Sequence, residues 1–203
     1  PEYSDTQIVS FLKRKKIDYQ SPKNIFKTAS KLLADGKIIG WFQGKAEFGP
    51  RALGNRSILS ATFPKEKKDI LNKQIKHREE FRPFAPAIID KYQKKFYKLN
   101  ANSPFMLEAT YPLKQVIPKL IATLHNDKSA RIQTVSKNIN LKFYKILNEF
   151  YKITGVPVLL NTSFNDKGEP MVCSPEDAIK SFHSTNLDAV VLGKFLVRAI
   201  KKK

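Results

Sequence analysis

Short apolar strands interleave with capped amphipathic helices along most of this chain, and that alternation constrains the fold more than any other feature. The first helix reads over 4–15, with Ser4 as N-cap, Gln7 three residues later, and Ile8, Val9, Phe11 and Leu12 as its apolar side. A second is signalled by Ser21-Pro22, a cap followed by proline. It carries Ile25, Phe26, Ala29, Leu32 and Leu33 at helical spacing and stops at Gly36. A strand over 37–42 follows at once, then a loop over 43–57, a strand over 58–61 and a lysine-rich helix over 65–76. FRPFAPAII (81–89) and SPFMLEATYP (103–112) read as extended segments with strand character. The remainder predicts a strand over 130–135, a helix over 141–153 ended by Gly155, a strand over 156–160 and a polar loop over 161–170. A helix starting at Ser174-Pro175 and strands over 189–192 and 195–199 close the chain. Elements ordered in this way predict an α/β or α+β domain, a mixed, twisted sheet covered by helices. In such sheets the loops at strand ends are where ligands sit.

At 203 residues and 41% hydrophobic content, the chain suffices for one substantial domain with a short lead-in. No apolar run approaches the length of a bilayer span, and PEYSDTQIVS lacks the layout of a signal peptide, so a cytoplasmic protein with no membrane partner is expected. The single cysteine, Cys173, excludes an intrachain disulfide and a cysteine-built zinc site, and reads as a partly buried, unreactive thiol. A formal net charge of +19 attracts phosphates and acidic surfaces without saying which. Only seven of the 37 basic residues are arginines, and five of those, Arg51, Arg56, Arg78, Arg82 and Arg131, fall in motif-like stretches. The other basic residues are lysines spread along the chain, and Lys201, Lys202 and Lys203 read as peripheral. Arginine in a lysine-preferring chain marks places where a planar, bidentate fork is needed, which points to discrete anion recognition.

Three stretches can carry chemistry. The loop Gly44 to Ser57 combines three glycines with Lys45, Arg51, Asn55 and Arg56. Glycines let backbone N–H groups approach an anion, and arginines clamp it. The spacing of a P-loop is absent, and a tight surface turn with exposed charges remains the alternative. Lys76-His77-Arg78-Glu79-Glu80-Phe81-Arg82-Pro83 places three cations within seven residues beside two carboxylates. An anion site through Lys76 and Arg82 competes there with a salt-bridged helix end in which Arg78 pairs Glu79 or Glu80. His77, His125 and His183 have no spacing that builds a metal site or a nucleophile dyad, and His77 reads as structural or exposed. Finally, Asn161-Thr162-Ser163-Phe164-Asn165 places amides and hydroxyls at the end of an apolar strand, where they can donate to phosphate oxygens without adding charge.

GWFQGKAEFGPRALGNRSIL, KHREEFRPFAPAI, SARIQTVS and GVPVLLNTSFNDKGEPMVCSPEDAI, in that order, closely resemble the C-terminal region of the NodU and cephalosporin/tobramycin O-carbamoyltransferase family. The resemblance runs from about Pro1 to the end. It departs at Lys45, where arginine is usual, at Ala46, where methionine is frequent, and in its heavier lysine load. It implies a YrdC-like α/β fold over 21–203, preceded by a lead-in helix over 1–20 that follows an N-terminal, actin-like ATPase-fold domain outside this chain. It implies that ATP and carbamoyl phosphate are converted to carbamoyl-adenylate, whose carbamoyl group passes to a hydroxyl acceptor in that other domain. Lys76, Arg82 and Arg131 are the implied catalytic residues, and Arg51, Ser163 and Asn165 the implied ligands of phosphate groups. Asn55, Arg56 and Thr162 are further candidates. Mg2+ is expected to arrive with ATP, since no carboxylate cluster offers a dedicated cage, and the resemblance leaves room for a homodimer. The competing reading is an RNA-binding YrdC-like module related to tRNA threonylcarbamoylation, for which a continuous lysine face would replace an arginine-lined cavity.

Overall fold

The computed structural model describes residues 1–199, so Lys201, Lys202 and Lys203 lie outside the described residues. Helix α1 (Asp5–Arg14) starts in a reciprocal capping box: the Gln7 backbone N–H donates to Ser4 Oγ at 3.2 Å, and the Ser4 N–H donates to Gln7 Oε1 at 2.8 Å. Helix α2 (Ile25–Ala34) is capped by Asn24, whose Oδ1 accepts from the Lys27 N–H at 3.0 Å. Ser21 lies a turn too early to reach that group, which corrects the cap expected from the sequence. Strands β1 (Ile39–Phe42) and β2 (Arg56–Ala61) come next. Helix α3 (Glu66–Ile70) runs into a π-helical turn over Leu71–Ile75, where a single regular helix was expected. Strand β3 (Ala85–Ile89) leads to the short α4 (Gln93–Phe96).

The middle departs most from its sequence reading. Of 103–112 only Ala109–Thr110 is a strand, β4, and it pairs with β5 (Ala130–Arg131) in a separate two-stranded sheet. Pro112 precedes and Pro118 lies within a stretch of 3-10 turns instead, because proline removes ladder donors. Strand β6 (Gln133–Val135) precedes α5 (Leu141–Thr154), which is capped by Asn140 and ended by Gly155 at φ +69°. Strand β7 (Val158–Ser163), helix α6 (Pro175–Ser184) and strands β8 (Ala189–Leu192) and β9 (Phe195–Arg198) complete the chain.

Seven strands form one sheet in the order β6-β3-β7-β2-β1-β8-β9. The pairs β3–β6 and β1–β8 are parallel and the other four antiparallel, so the sheet is mixed as expected. Helices α2 and α5 pack together over one face, burying Trp41, Leu59 and Leu159. Helices α1 and α6 and the π-helical turn cover the other, burying Phe42, Ile58 and Leu160. Cover on both faces explains why β1, β2, β3 and β8 are buried at every position rather than alternately. The lead-in joins this core: Ile8, Phe11 and Leu12 are buried in the second cluster, and Gln20 bridges to Leu196. Among the described residues no helix is long and apolar enough to cross a membrane.

Register gathers the motifs. Phe42 lies beside Arg56, Ser57 beside Ser163, and Asn161 beside Ala85. The C-terminal ends of β1 and β7 and the N-terminal ends of β2 and β3 therefore share one edge of the sheet. Parallel pairing of β6 with β3 sets Gln133 beside Ala87 and brings Arg131 to that same edge. The strand expected over 156–160 extends to Ser163 because β2 offers Ser57 and Ile58 as ladder partners, so Asn161, Thr162 and Ser163 are strand residues rather than loop residues.

Candidate functional site

Lys76 follows the π-helical turn and is only 5% exposed. Its ammonium donates to the Ser163 carbonyl at 3.1 Å, the Asn165 carbonyl at 2.8 Å and Asn165 Oδ1 at 2.5 Å, with Ser163 Oγ at 3.5 Å. An ammonium has three donors, so the longest of these four contacts is the weakest. Ser163 Oγ donates to Asn165 Oδ1 at 2.8 Å, and Asn165 Nδ2 donates to the Glu169 carbonyl at 2.8 Å, which fixes the amide's orientation. Burial, reinforced by the nearby Arg78 charge and opposed by Asp166, lowers the Lys76 pKa from 10.5 to about 8. The chain turns left-handed just beyond it, at His77 with φ +43°, and the exposed His77 ring meets Asp166 at 2.8 Å.

The arginines stand differently. Arg51 is exposed and forms no ion pair among the described residues. It lies close enough to half-buried Arg131 for its charge to lower the Arg131 pKa, an effect second to burial. The Arg131 Nε–H is buried without a partner among the described residues. Arg82 is exposed and paired with Glu79 at 3.1 Å. Glu80 pairs with Lys73 at 2.7 Å. Arg78, expected to pair with one of these carboxylates, instead donates to Asn72 Oδ1 at 2.8 Å and lies over the Phe84 ring at 4.6 Å. Its guanidinium is part of the packing beneath β3.

Arg56 is fully buried, and its guanidinium is spent on the protein itself. It donates to the carbonyls of Gln43, Gly44 and Asn55 at 2.7, 3.2 and 3.1 Å and to that of Pro1 at 3.2 Å, and it lies 3.6 Å from the centre of the Phe42 ring. That placement makes it a brace of the 43–55 loop and leaves it turned away from the phosphate role expected for it. Thr162 lies between Asn161 and Ser163 on β7, on the face of Ile58 and Leu160 that the π-helical turn covers, but the Lys76 ammonium bonds to Ser163 and Asn165 and not to the Thr162 side chain. Cys173 is exposed, not partly buried: its backbone N–H is drawn to Asp177 at the α6 cap, which leaves the thiol at the surface.

Asn55 accepts from Asn140 Nδ2 at 3.0 Å and donates to the Lys45 carbonyl at 2.8 Å. It borders a cavity of about 160 Å³ that is also lined by Glu47, Gln133, Asn140, Phe105 and Ile139. A larger hollow of about 430 Å³ between α1 and the start of α6 touches none of the candidate site residues. Glu47, Gln133 and Asn140 escaped the sequence reading, and Asn161 was read there as a donor to phosphate rather than to the backbone, although a lone amide in an otherwise apolar strand, as at 133, is a signal. Among the described residues no group of three or more His, Cys, Asp or Glu is placed to hold a metal. The site thus presents cations and amides: a buried lysine on a rigid serine-asparagine turn, with Arg51 and Arg131 repelling each other at the same edge. Such an arrangement is stabilised by an anion.

Residues 30–199 match the family described as Carbamoyltransferase C-terminus. Nodulation protein NolNO of Sinorhizobium fredii is 44% identical over 186 residues, which are 90% of this chain and 27% of the relative. The chain spans 27 to 36% of the length of the first curated relatives it matches. The structure of full-length HypF in its phosphate- and nucleotide-bound form superposes with a TM-score of 0.59 at 18% identity, over 87% of this chain and 26% of that one. P. abyssi Sua5 complexed with L-threonine gives a TM-score of 0.59 at 11% identity, over 83% of this chain and 46% of that one. At such identities the likeness speaks for the fold alone, and the fold is the YrdC-like twisted mixed sheet with covering helices. With the matched region running from the middle of α2 through β9, the chain belongs to the family of carbamoyltransferase C-terminal domains.

Proposed function

We propose that this domain activates carbamoyl phosphate with ATP to carbamoyl-adenylate, for transfer to a hydroxyl acceptor held by an actin-like ATPase-fold N-terminal domain. The observation that carries the reading is the buried Lys76 ammonium fixed on Ser163 and Asn165, at the same sheet edge as the Arg51–Arg131 pair. Carbamoyl phosphate loses inorganic phosphate to water and leaves carbamate. A carbamate oxygen then attacks the α-phosphorus of ATP, the α–β bridging bond breaks, and pyrophosphate departs. Two anions must meet in that step, so neutralising and aligning them matters more than covalent catalysis.

Arg51 and Arg131 clamp oxygens of carbamoyl phosphate or carbamate through their forked donors. Lys76 and Ser163, with Asn165, hold the α-phosphate, and Arg82 exchanges Glu79 for the outgoing pyrophosphate. Asn55 faces the cavity beside Gln133 and Phe105, whose size of about 160 Å³ suits the nucleoside end of ATP rather than the whole molecule. Mg2+ would enter on the nucleotide and shield its phosphates. That the HypF structure sharing this fold is a phosphate- and nucleotide-bound form supports the assignment. Pyrophosphate release that requires both ATP and carbamoyl phosphate is the test. Release with ATP alone, or none with both, would overturn the reading.

A further inference from the structure

Two buried amides hold the backbone of the Arg51 loop. Gln133 on β6 is 3% exposed and Asn161 on β7 is 1% exposed, with β3 lying between their strands. Gln133 Nε2 donates to the Leu53 carbonyl at 2.8 Å. Asn161 Nδ2 donates to Gln133 Oε1 at 2.8 Å and to the Ala52 carbonyl at 3.0 Å. Each amide has one orientation, because reversing either sets oxygen against oxygen. Asn161 Oδ1 is left buried without a partner among the described residues. On the same face of β7 two residues earlier stands Leu159, and a leucine at 161 would avoid that polar cost. A purely packed core gains nothing from this pair.

Their targets explain it. The two carbonyls belong to the residues that directly follow Arg51. Beyond them every turn of the loop is held: Glu47 Oε1 accepts from the N–H groups of Leu53, Asn55 and Arg56 at 2.8, 2.7 and 3.3 Å. Trp41 Nε1 donates to the Gly54 carbonyl at 3.1 Å. Gly54, at φ +110°, lies so close to Phe143 that a Cβ there would approach the ring to 2.1 Å. Phe48, Gly49, Pro50 and Arg51 itself are exposed. Arg51 therefore stands at the boundary between an anchored half and an open half of the loop.

We infer that Asn161 and Gln133 are positioning residues that fix where Arg51 stands, so that its guanidinium and that of Arg131 converge on one anion. This rests on the reading of Arg51 as an anion ligand. Neither amide meets the substrate. They act through the Ala52 and Leu53 carbonyls, and losing them leaves the charge unchanged while widening the positions Arg51 samples.

The test titrates carbamoyl phosphate calorimetrically into the parent chain, Gln133→Met, Asn161→Leu, Arg51→Ala and each amide variant combined with Arg51→Ala. Gln133→Met keeps the volume and removes the donor. It is expected to weaken binding about tenfold, or about 1.4 kcal/mol, yet to cause no further loss once Arg51 is alanine, because coupled residues are non-additive. Amide hydrogen exchange over 51–53 should quicken in Gln133→Met while exchange in α5 stays parental, a readout that needs no substrate. Parental affinity in Gln133→Met, additive losses in the double variants, or unchanged exchange over 51–53 would each overturn the inference. A parent chain that binds neither carbamoyl phosphate nor ATP would instead overturn the anion-site reading and this inference with it. Should Asn161→Leu not fold, Gln133→Met and the exchange measurement decide the matter.

Discussion

Lys76 and Arg51 carry the same charge at the same edge of the sheet, in opposite surroundings. Lys76 is buried, saturated with acceptors from the 163–165 turn, and holds its proton weakly. Arg51 is exposed at the end of an open loop segment, and a guanidinium stays charged at any working pH. On the function proposed above, the contrast separates two tasks that a site for two anions must perform. A pre-built cradle needs a cation that organises donors before the ligand arrives, and burial supplies that rigidity. A clamp needs a cation that closes on whatever the cradle holds, and exposure supplies that reach.

Breaking the buried side should have the largest effect. Replacing Lys76 with methionine preserves the stem's packing and deletes the ammonium that holds two carbonyls and Asn165 in place. Carbamoyl-phosphate-dependent pyrophosphate formation is expected to fall on the order of 10³-fold, the upper end for a lost electrostatic contact in a preorganised site. Circular dichroism checks that the fold survives. A loss no greater than that of Arg51→Ala would erase the distinction between cradle and clamp. Ser163→Ala removes one uncharged donor from the same cradle, and the expected loss is on the order of 10²-fold. Near-parental turnover would take Ser163 out of the site.

Much of this was legible before the structure, for identifiable reasons. Caps and periodicity fixed α1, α5 and α6, since their signals are local: Ser4 with Gln7, the run over 141–153 ended by Gly155, and Ser174 followed by Pro175. The π-helical turn that delivers Lys76 was not legible, because Leu71 and Ile75 are fixed by burial in the cluster that holds Ile58 of β2 and Leu160 of β7 rather than by propensity. Ser163 was visible as chemistry but misplaced as loop, because its strand depends on Ser57 of β2, about a hundred residues away in sequence. Arg56 shows the opposite failure: an arginine in a glycine-rich loop looked like an anion ligand and proved to be an internal brace. The network through Glu47, Gln133 and Asn161 was invisible because each residue is ordinary alone and acquires meaning only from the carbonyls it meets.

On the clamp side, Arg131→Lys keeps the charge and loses the fork. Its neighbour Arg51 still contributes, so adenylate formation should fall by only about tenfold, the worth of one charge-assisted bond. A parental rate would mean that Arg131 acts as a diffuse charge, and the bidentate reading would be withdrawn.

Acidity separates the two cations without mutation. As pH rises through about 8, Lys76 gives up its proton while the arginines keep theirs. Affinity for ATP measured calorimetrically should drop by about fivefold over the next pH unit, following the protonated fraction. Lys76→Met should lack that decline. Folding shows the complementary trend. Below about pH 8 the lysine is charged in both states and its burial counts against the fold. Between about 8 and its ordinary value of 10.5 only the unfolded state keeps the proton, so stability rises with pH across that window.

The smallest effect belongs to the most exposed contact. Arg82 and Glu79 meet at 3.1 Å with both side chains more than half exposed, 54% and 52%. Pairs of this kind are screened by water and salt, so the carboxylate holds Arg82 only loosely. If Arg82 leaves Glu79 to meet pyrophosphate, Glu79→Gln removes a competitor for the guanidinium. Turnover should then rise, by no more than about twofold, because the competing pair is weak. The increase should vanish at high ionic strength, where the pair is already screened. A steady-state comparison of parent and variant at low and high salt makes the measurement. A fall in turnover at low salt would mean that Glu79 orients Arg82 rather than competing for it, and would move Arg82 from the reaching clamp to the pre-built cradle.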